Sequence, residues 1–230
     1  MNAPFKPAAD LARHDRRYPN ESAAYRQART ALLAQEIELR RLTEGVAGQR
    51  RALPPGGSVP DDYTFRGSQG PVKLSQLFGR FDTLITYNWM FGPQRKEPCP
   101  MCTSLLGALD GEMPDLLQQV AFVVIAASPF ERLSAFAEQR GWRHLRLVSS
   151  AGNGFNKDYA FEEPGGDNAA FNVFEREGDT VRHFWGDEMG MESADPGQDP
   201  RGAVNAMPLW SLLDITPQGR SPDWYPKLNY

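Results

Sequence analysis

In 230 residues the chain has two cysteines, three histidines and no apolar run near the roughly 18 residues that span a bilayer. Each scarcity excludes something. Two cysteines cannot build a disulfide framework, and a bond between Cys99 and Cys102 would close a loop too small to staple a fold. His14, His144 and His183 show no metal-ligand spacing. Lys6, Asp10, Arg13, Asp15, Arg16 and Arg17 occupy the start of the chain, where a secretory signal would need an apolar segment, so a cytoplasmic protein is expected. The net charge of −4 gives no footing for nucleic acid, and neither that partner nor a membrane is expected.

What is present is an ordinary globular composition: 40% hydrophobic residues, with thirteen Phe, five Trp and seven Tyr to bury. Nineteen Pro and twenty-one Gly punctuate it, which points to one loop-rich domain with additions. Residues 1–53 carry ten Lys and Arg against six Asp and Glu, a weakly basic start that reads as a solvated helix face. From Ser22 to Leu53 the positions Tyr25, Ala28, Leu32, Gln35, Leu39, Leu42, Val46, Gln49 and Leu53 alternate steps of three and four, the seam of one long helix. So narrow a stripe serves packing on the same chain or pairing with a second copy as a homodimer. Pro54-Pro55-Gly56-Gly57 ends it.

Beyond that linker the pattern alternates between strand and helix. Residues 63–65 and 72–74 flank turn chemistry and predict a hairpin, and a brief helix from Ser75 stops at Gly79. Residues 83–87 are rich in strand formers, and residues 121–127 form a continuous apolar run suited to a strand buried on both faces. Ser128-Pro129-Phe130-Glu131 predicts a capping box with proline at the first helical position, and that helix runs to Arg140 before Gly141. A strand is expected over residues 145–148, then a hairpin around Glu177-Gly178-Asp179. Gly152-Asn153-Gly154 reads as a turn, because a dinucleotide loop would need a third glycine. The acidic stretch from Asp187 to Asp199 reads as a solvated loop without the ligand spacing of a calcium loop, and residues 207–213 as a last short helix.

The chemistry centres on Glu97-Pro98-Cys99-Pro100-Met101-Cys102. Cysteines at i and i+3 are neighbours on the first turn of a helix and near disulfide reach. Pro100 suits the first helical position, where its missing N–H would have no intrahelical partner. Cys99 would then be the N-cap, where free N–H groups and the helix dipole favour a thiolate. The arrangement fits a redox pair, with Cys99 as exposed nucleophile and Cys102 as resolving thiol. Arg95 and Lys96 favour the thiolate and Glu97 opposes it; none is assigned a catalytic role. Two other readings share the residues: inert core thiols, and a partial site for a soft metal such as Cu(I), shared across a dimer. His183, alternating with Val181 and Trp185 on one strand face, reads as a satisfied, partly buried side chain.

Taken as a set, Tyr87-Asn88-Trp89-Met90-Phe91-Gly92-Pro93, Cys99-Pro100-Met101-Cys102, Gly141-Trp142-Arg143, Val148-Ser149-Ser150 and Leu213-Asp214-Ile215-Thr216-Pro217 resemble the bacterial thioredoxin-like family catalogued as domain of unknown function 899. The resemblance implies an α/β fold: a thioredoxin-like mixed sheet flanked by helices, with a long N-terminal helix. Its divisions are an arm and helix over residues 1–57, the thioredoxin-like domain over 58–220, and a tail over 221–230. It also implies dithiol–disulfide oxidoreductase activity by Cys99 and Cys102 without cofactor or metal, on an unidentified disulfide or oxidant, with cellular thiols as reductant. No threonine precedes Cys99 at the spacing of peroxiredoxins. The chain departs from the thioredoxin pattern at one point: counting back from Phe174 puts Ala169 where thioredoxins carry a cis-proline, and Pro164 falls several residues too early.

Overall fold

The computed structural model describes residues 5–162 and 166–188, and positions 193, 195, 196, 206, 208 and 226–228. Pro164, the acidic stretch beyond Glu188 except for those positions, most of the expected helix over 207–213 and the motif over 213–217 lie outside the described residues. Two compact units divide the chain at Pro54.

The first unit is a short helix α1 (Ala8–Leu11) and a long helix α2 (Ala23–Arg51). Ser22 caps α2, its hydroxyl accepting the Tyr25 N–H at 3.1 Å, and Leu53 falls just outside the helix. The heptad seam is not the covered row: Tyr25, Leu32, Leu39 and Leu42 are 50% to 64% exposed, while Leu33, Ile37 and Arg41 one row over are partly covered. Segment 5–12 accounts for part of this. The Arg41 guanidinium donates to the Lys6 carbonyl at 2.7 Å and lies 4.9 Å from the centre of the Phe5 ring. Ala8 and Ala12 are buried, and spacing within α2 alone carries no information about which row that segment covers. No helix among the described residues is long and apolar enough to cross a membrane.

The second unit is built on a seven-stranded mixed sheet. Its strands are β1 (Thr64–Gly67), β2 (Gly70–Lys73), β3 (Thr83–Asn88), β4 (Ala121–Ala126), β5 (Leu147–Ser149), β6 (Ala170–Glu177) and β7 (Thr180–Gly186), in the order β2-β1-β5-β4-β3-β6-β7. Strands β3, β4 and β5 run parallel, and β6 returns antiparallel to β3. This is the expected thioredoxin-like sheet. Helices α3 (Leu74–Leu77), α4 (Pro100–Leu116), α5 (Phe130–Arg140) and α6 (Phe155–Tyr159) connect or flank the strands. The period of two divides the core. Leu84, Val123, Ile125 and Phe174 join Tyr63, Leu77 and Phe155 in one apolar cluster; Tyr87, Phe122, Val124 and Ala126 join Leu106, Met113 and Leu133 of α4 and α5 in the other. With both faces covered, β4 is apolar at every position and wholly buried. Beside β7, the segment 56–59 pairs with the strand: His183 donates to the Gly57 carbonyl at 3.0 Å and Val59 to the Val181 carbonyl at 2.9 Å. A Cβ at Gly56 would fall 1.7 Å from the His183 oxygen, so only glycine fits there.

Two expectations are corrected. Pro129 has φ −52° and ψ 142°, so it is the N-cap of α5 rather than its first residue, and no side chain caps the helix. Ser128 is instead a buried knot: its N–H bonds the Phe91 carbonyl at 3.1 Å, its carbonyl accepts the Ser149 hydroxyl at 2.7 Å, and its own hydroxyl accepts from Arg132 at 3.2 Å. Strand β5 starts at Leu147, not Leu145, because the N–H groups of Arg143, His144 and Leu145 all bond the Asp110 carboxylate of α4, at 2.8–3.1 Å.

Burial pushes the Asp110 carboxyl up, but these three donors outweigh it and the net shift is down. Its contribution is therefore present above the unfolded carboxyl value of about 4 and is lost as pH falls through the folded one. Asp110→Ala should cost about 2–3 kcal/mol in urea unfolding at pH 7, and the gap to wild type should narrow in acid.

Candidate active site

Strand β3, interior to the sheet, carries the chain to the end of the sheet where the dithiol follows. The Trp89 N–H still bonds the Ile125 carbonyl at 2.8 Å, and eight residues beyond Phe91 the chain returns: the Cys99 N–H donates to the Met90 carbonyl at 3.0 Å. Cys99 has extended backbone, φ −60° and ψ 125°, and is the N-cap of α4, with Pro100 the first helical residue. Its carbonyl accepts the Thr103 N–H at 3.0 Å and the Thr103 hydroxyl at 2.9 Å. Both polar groups of the Cys99 backbone are thus engaged, one by the strand end and one by the helix.

The two sulfurs have unlike surroundings. Both cysteines are free thiols, Cys99 half-buried and Cys102 buried in the cluster formed by Tyr87, Leu105 and Leu106. The neighbouring Cys102 thiol is the largest reason the Cys99 thiol is lowered to about 6. Burial works against that, and the N–H groups of Cys102 and Met101 and the charge of Arg95 work for it. Cys102 is pushed the opposite way, first by the neighbouring Cys99, then by burial and by the charge of the Cys99 thiolate. At neutral pH one sulfur carries charge and the other a proton.

The loop over residues 92–98 is tied down from two sides. Arg95 forms an ion pair with Asp167, whose Oδ2 also accepts the Gly92 N–H at 3.2 Å. From α5, Arg132 donates to the Arg95 and Lys96 carbonyls, and its guanidinium lies 4.3 Å from the centre of the Phe91 ring. Beside this loop opens a cleft of about 470 Å³, bordered by Pro93, Arg95, Ser150, Asn156, Glu162 and Asp167. Ser150 is 3% exposed and its hydroxyl has no protein partner.

A family model described as "Bacterial protein of unknown function (DUF899)" matches residues 15–230. The chain belongs to DUF899. A search of curated proteins found no match. Among solved structures, it is similar to a peroxiredoxin-like protein from Aquifex aeolicus, at 13% identity and TM-score 0.42 over 58% of this chain and 75% of that one. It is also similar to a cysteine-to-serine mutant of PrxQ from Xylella fastidiosa, at 16% identity and TM-score 0.41 over 58% and 84%. A third is a secreted Mycobacterium tuberculosis disulfide oxidoreductase homologous to E. coli DsbE, at 19% identity and TM-score 0.36 over 52% and 80%.

In this DUF899 chain the structure brings Cys99, Pro100 and Cys102 together as their spacing predicts. Ala169 immediately precedes β6, whose first residue, Ala170, pairs with Asn88 at the end of β3. No peptide bond among the described residues is cis. His183 is part-buried, and its Nε2 lies 2.8 Å from the Asn172 Oδ1. No group of three or more His, Cys, Asp or Glu side chains that could hold a metal gathers among the described residues. Sequence reasoning missed Tyr87, which shares a buried cluster with Cys102, and Met90, whose carbonyl holds the Cys99 N–H. It also missed Asp167 and Arg132. Tyr87 sits in an apolar strand run and reads as core; the two loop clasps join residues 72 and 37 positions apart, with no local signal.

Cys99 alkylation should therefore rise with pH to half its maximum near pH 6 and level off above it, while Cys102 stays unlabelled at neutral pH. Arg95→Gln should move that midpoint upward by about half a pH unit. Iodoacetamide labelling read by mass spectrometry checks both.

Proposed function

We propose that this protein is a cofactor-independent thiol–disulfide oxidoreductase acting through Cys99 and Cys102. The observation that carries the reading is the unequal pair: a half-buried cysteine at the N-cap of α4 whose thiol is lowered, and a buried cysteine one turn later whose thiol is raised. In the reducing direction the Cys99 thiolate attacks a client disulfide R–S–S–R′, forming Cys99–S–S–R and expelling R′–S⁻. Cys102 then attacks the Cys99 sulfur and releases R–S⁻, which leaves with the Cys102 proton as R–SH. The client gains two electrons and the protein holds a Cys99–Cys102 disulfide, which two equivalents of a cellular thiol reduce. The reverse sequence oxidises a dithiol client. Electron pairs pass between sulfurs throughout, and the reaction calls on no further group.

The half-buried Cys99 offers its sulfur to a client, while Cys102, 4% exposed, is shielded from one. That division suits attack by the first and resolution by the second.

Two measurements test the proposal. In glutathione redox buffers the wild type should interconvert between a dithiol and one intramolecular disulfide, followed by acid-quenched alkylation and mass. Cys102→Ser should hold Cys99 in a mixed disulfide with glutathione or a protein client, and Cys99→Ser should hold none. Absence of the intramolecular bond across the whole buffer range would sink the reading.

A further inference from the structure

We propose that α2 is a dimerisation surface, pairing antiparallel with α2 of a second copy of this chain along the exposed row Tyr25, Leu32, Leu39 and Leu42. The inference is independent of the thiol chemistry.

The row is open and narrow. All four side chains are at least half exposed, and the contacts of segment 5–12 fall on the row of Arg41, which leaves this one uncovered by it. Tyr25, Leu32 and Leu39 stand seven residues apart, and Ala28, Gln35 and Leu42 each follow one of them by three. Two positions in seven make the seam that fits another helix, whereas a helix lying on a globular core carries a wider apolar face. Arg29 and Glu36 flank the seam on one side, Ala31 and Glu38 on the other.

Side-chain size sets the direction. A parallel pair places each residue against its own copy, so Ala28 meets Ala28 and leaves a void, and Gln35 meets Gln35. An antiparallel pair centred between Leu33 and Ala34 sets Tyr25 on Leu42 of the second copy, Ala28 on its Leu39 and Leu32 on its Gln35. The twofold axis repeats each contact, so every member of the exposed row is covered and the smallest residue meets a large one.

Charge sets the register. In that alignment Arg29 faces Glu36 of the second copy, twice by symmetry, and Glu38 faces Ala31. Arg29 and Glu36 already meet within one helix at 2.9 Å, so both side chains lie along the same flank. Sliding the copies by seven residues in one direction opposes Glu36 to Glu36 and Glu38 to Glu38; in the other it opposes Arg29 to Arg29. Only the central register pairs unlike charges. The overlap from Tyr25 to Leu42 is about 27 Å of helix. It covers about 900 Å² in all, the size of a weak and reversible interface, so association is expected in the micromolar range.

The test is sedimentation velocity on the reduced full-length protein from submicromolar to several hundred micromolar. The mass should rise from one chain toward two, and Leu39→Glu should weaken association at least tenfold. Arg29→Glu and Glu36→Arg should each weaken it several-fold, and an equimolar mixture of the two should restore it, because unlike charges then face each other at both ends of the contact. Nitroxides on Ala24→Cys, in a Cys99→Ser, Cys102→Ser background, should lie about 30 Å apart by electron spin echo, since position 24 then faces position 43 of the other copy; a parallel pair would hold them at about 10 Å. A single-chain mass throughout, the result if the rest of the same chain covers this row, would overturn the inference. So would a dimer indifferent to Leu39→Glu, a mixture that fails to associate, or the short label distance. The substituted positions are on the helix surface, and matching thermal melts report that the fold is intact.

Discussion

The 3.0 Å bond from the Cys99 N–H to the Met90 carbonyl joins the end of β3 to the start of α4, and the chemistry of both sulfurs depends on it. Without that tie the eight residues between would be a free loop, and Cys99 would have no fixed relation to the sheet. With it, Cys99 is held one residue outside the helix, at the N-terminal end where the first N–H groups of α4 have no intrahelical partner. The same tie sets Cys102 one turn on, against Tyr87. Clamping by Asp167 and Arg132 then fixes the loop from outside, so the backbone that carries the nucleophile is held from three elements at once.

The fold was legible where pattern is local and packing is symmetric. The run Ala121–Ala126 reads as a doubly buried strand because it has no polar position, and that is what β4 is. Gly79 and Gly141 end their helices with positive φ as their positions suggest. Cys99, Pro100 and Cys102 were legible for a similar reason: four consecutive residues state their own geometry. Pairings remote in sequence were not legible. Asp110 delays the start of β5 from more than thirty residues away, and nothing within residues 143–147 signals it. Ser128 has the sequence of a cap and is used to bind three strand ends together. On α2 the seam of apolar residues marks a real stripe, but the row that is covered lies beside it.

The two thiols also set the energetic poise of the pair in the proposed reaction. At neutral pH the reduced form is a Cys99 thiolate beside a protonated Cys102, and the hydrogen bonds to that thiolate exist only while Cys99 is reduced. A disulfide sulfur, being neutral, collects little from them. Cys102, raised by the neighbouring Cys99 and by burial, stays neutral in the reduced form. The balance favours the dithiol, and so makes the disulfide more oxidising than an unperturbed pair.

That poise has a kinetic counterpart. A thiol of low pKa is a good leaving group, so a mixed disulfide through Cys99 is easily undone when the expelled client thiolate attacks the client's own sulfur and displaces Cys99 again. Each added donor at Cys99 speeds that return. Net turnover therefore depends on how quickly Cys102 captures Cys99, and capture requires charge on a sulfur that the fold has buried. The burial that shelters Cys102 from a client thus opposes the step that completes the proposed reaction.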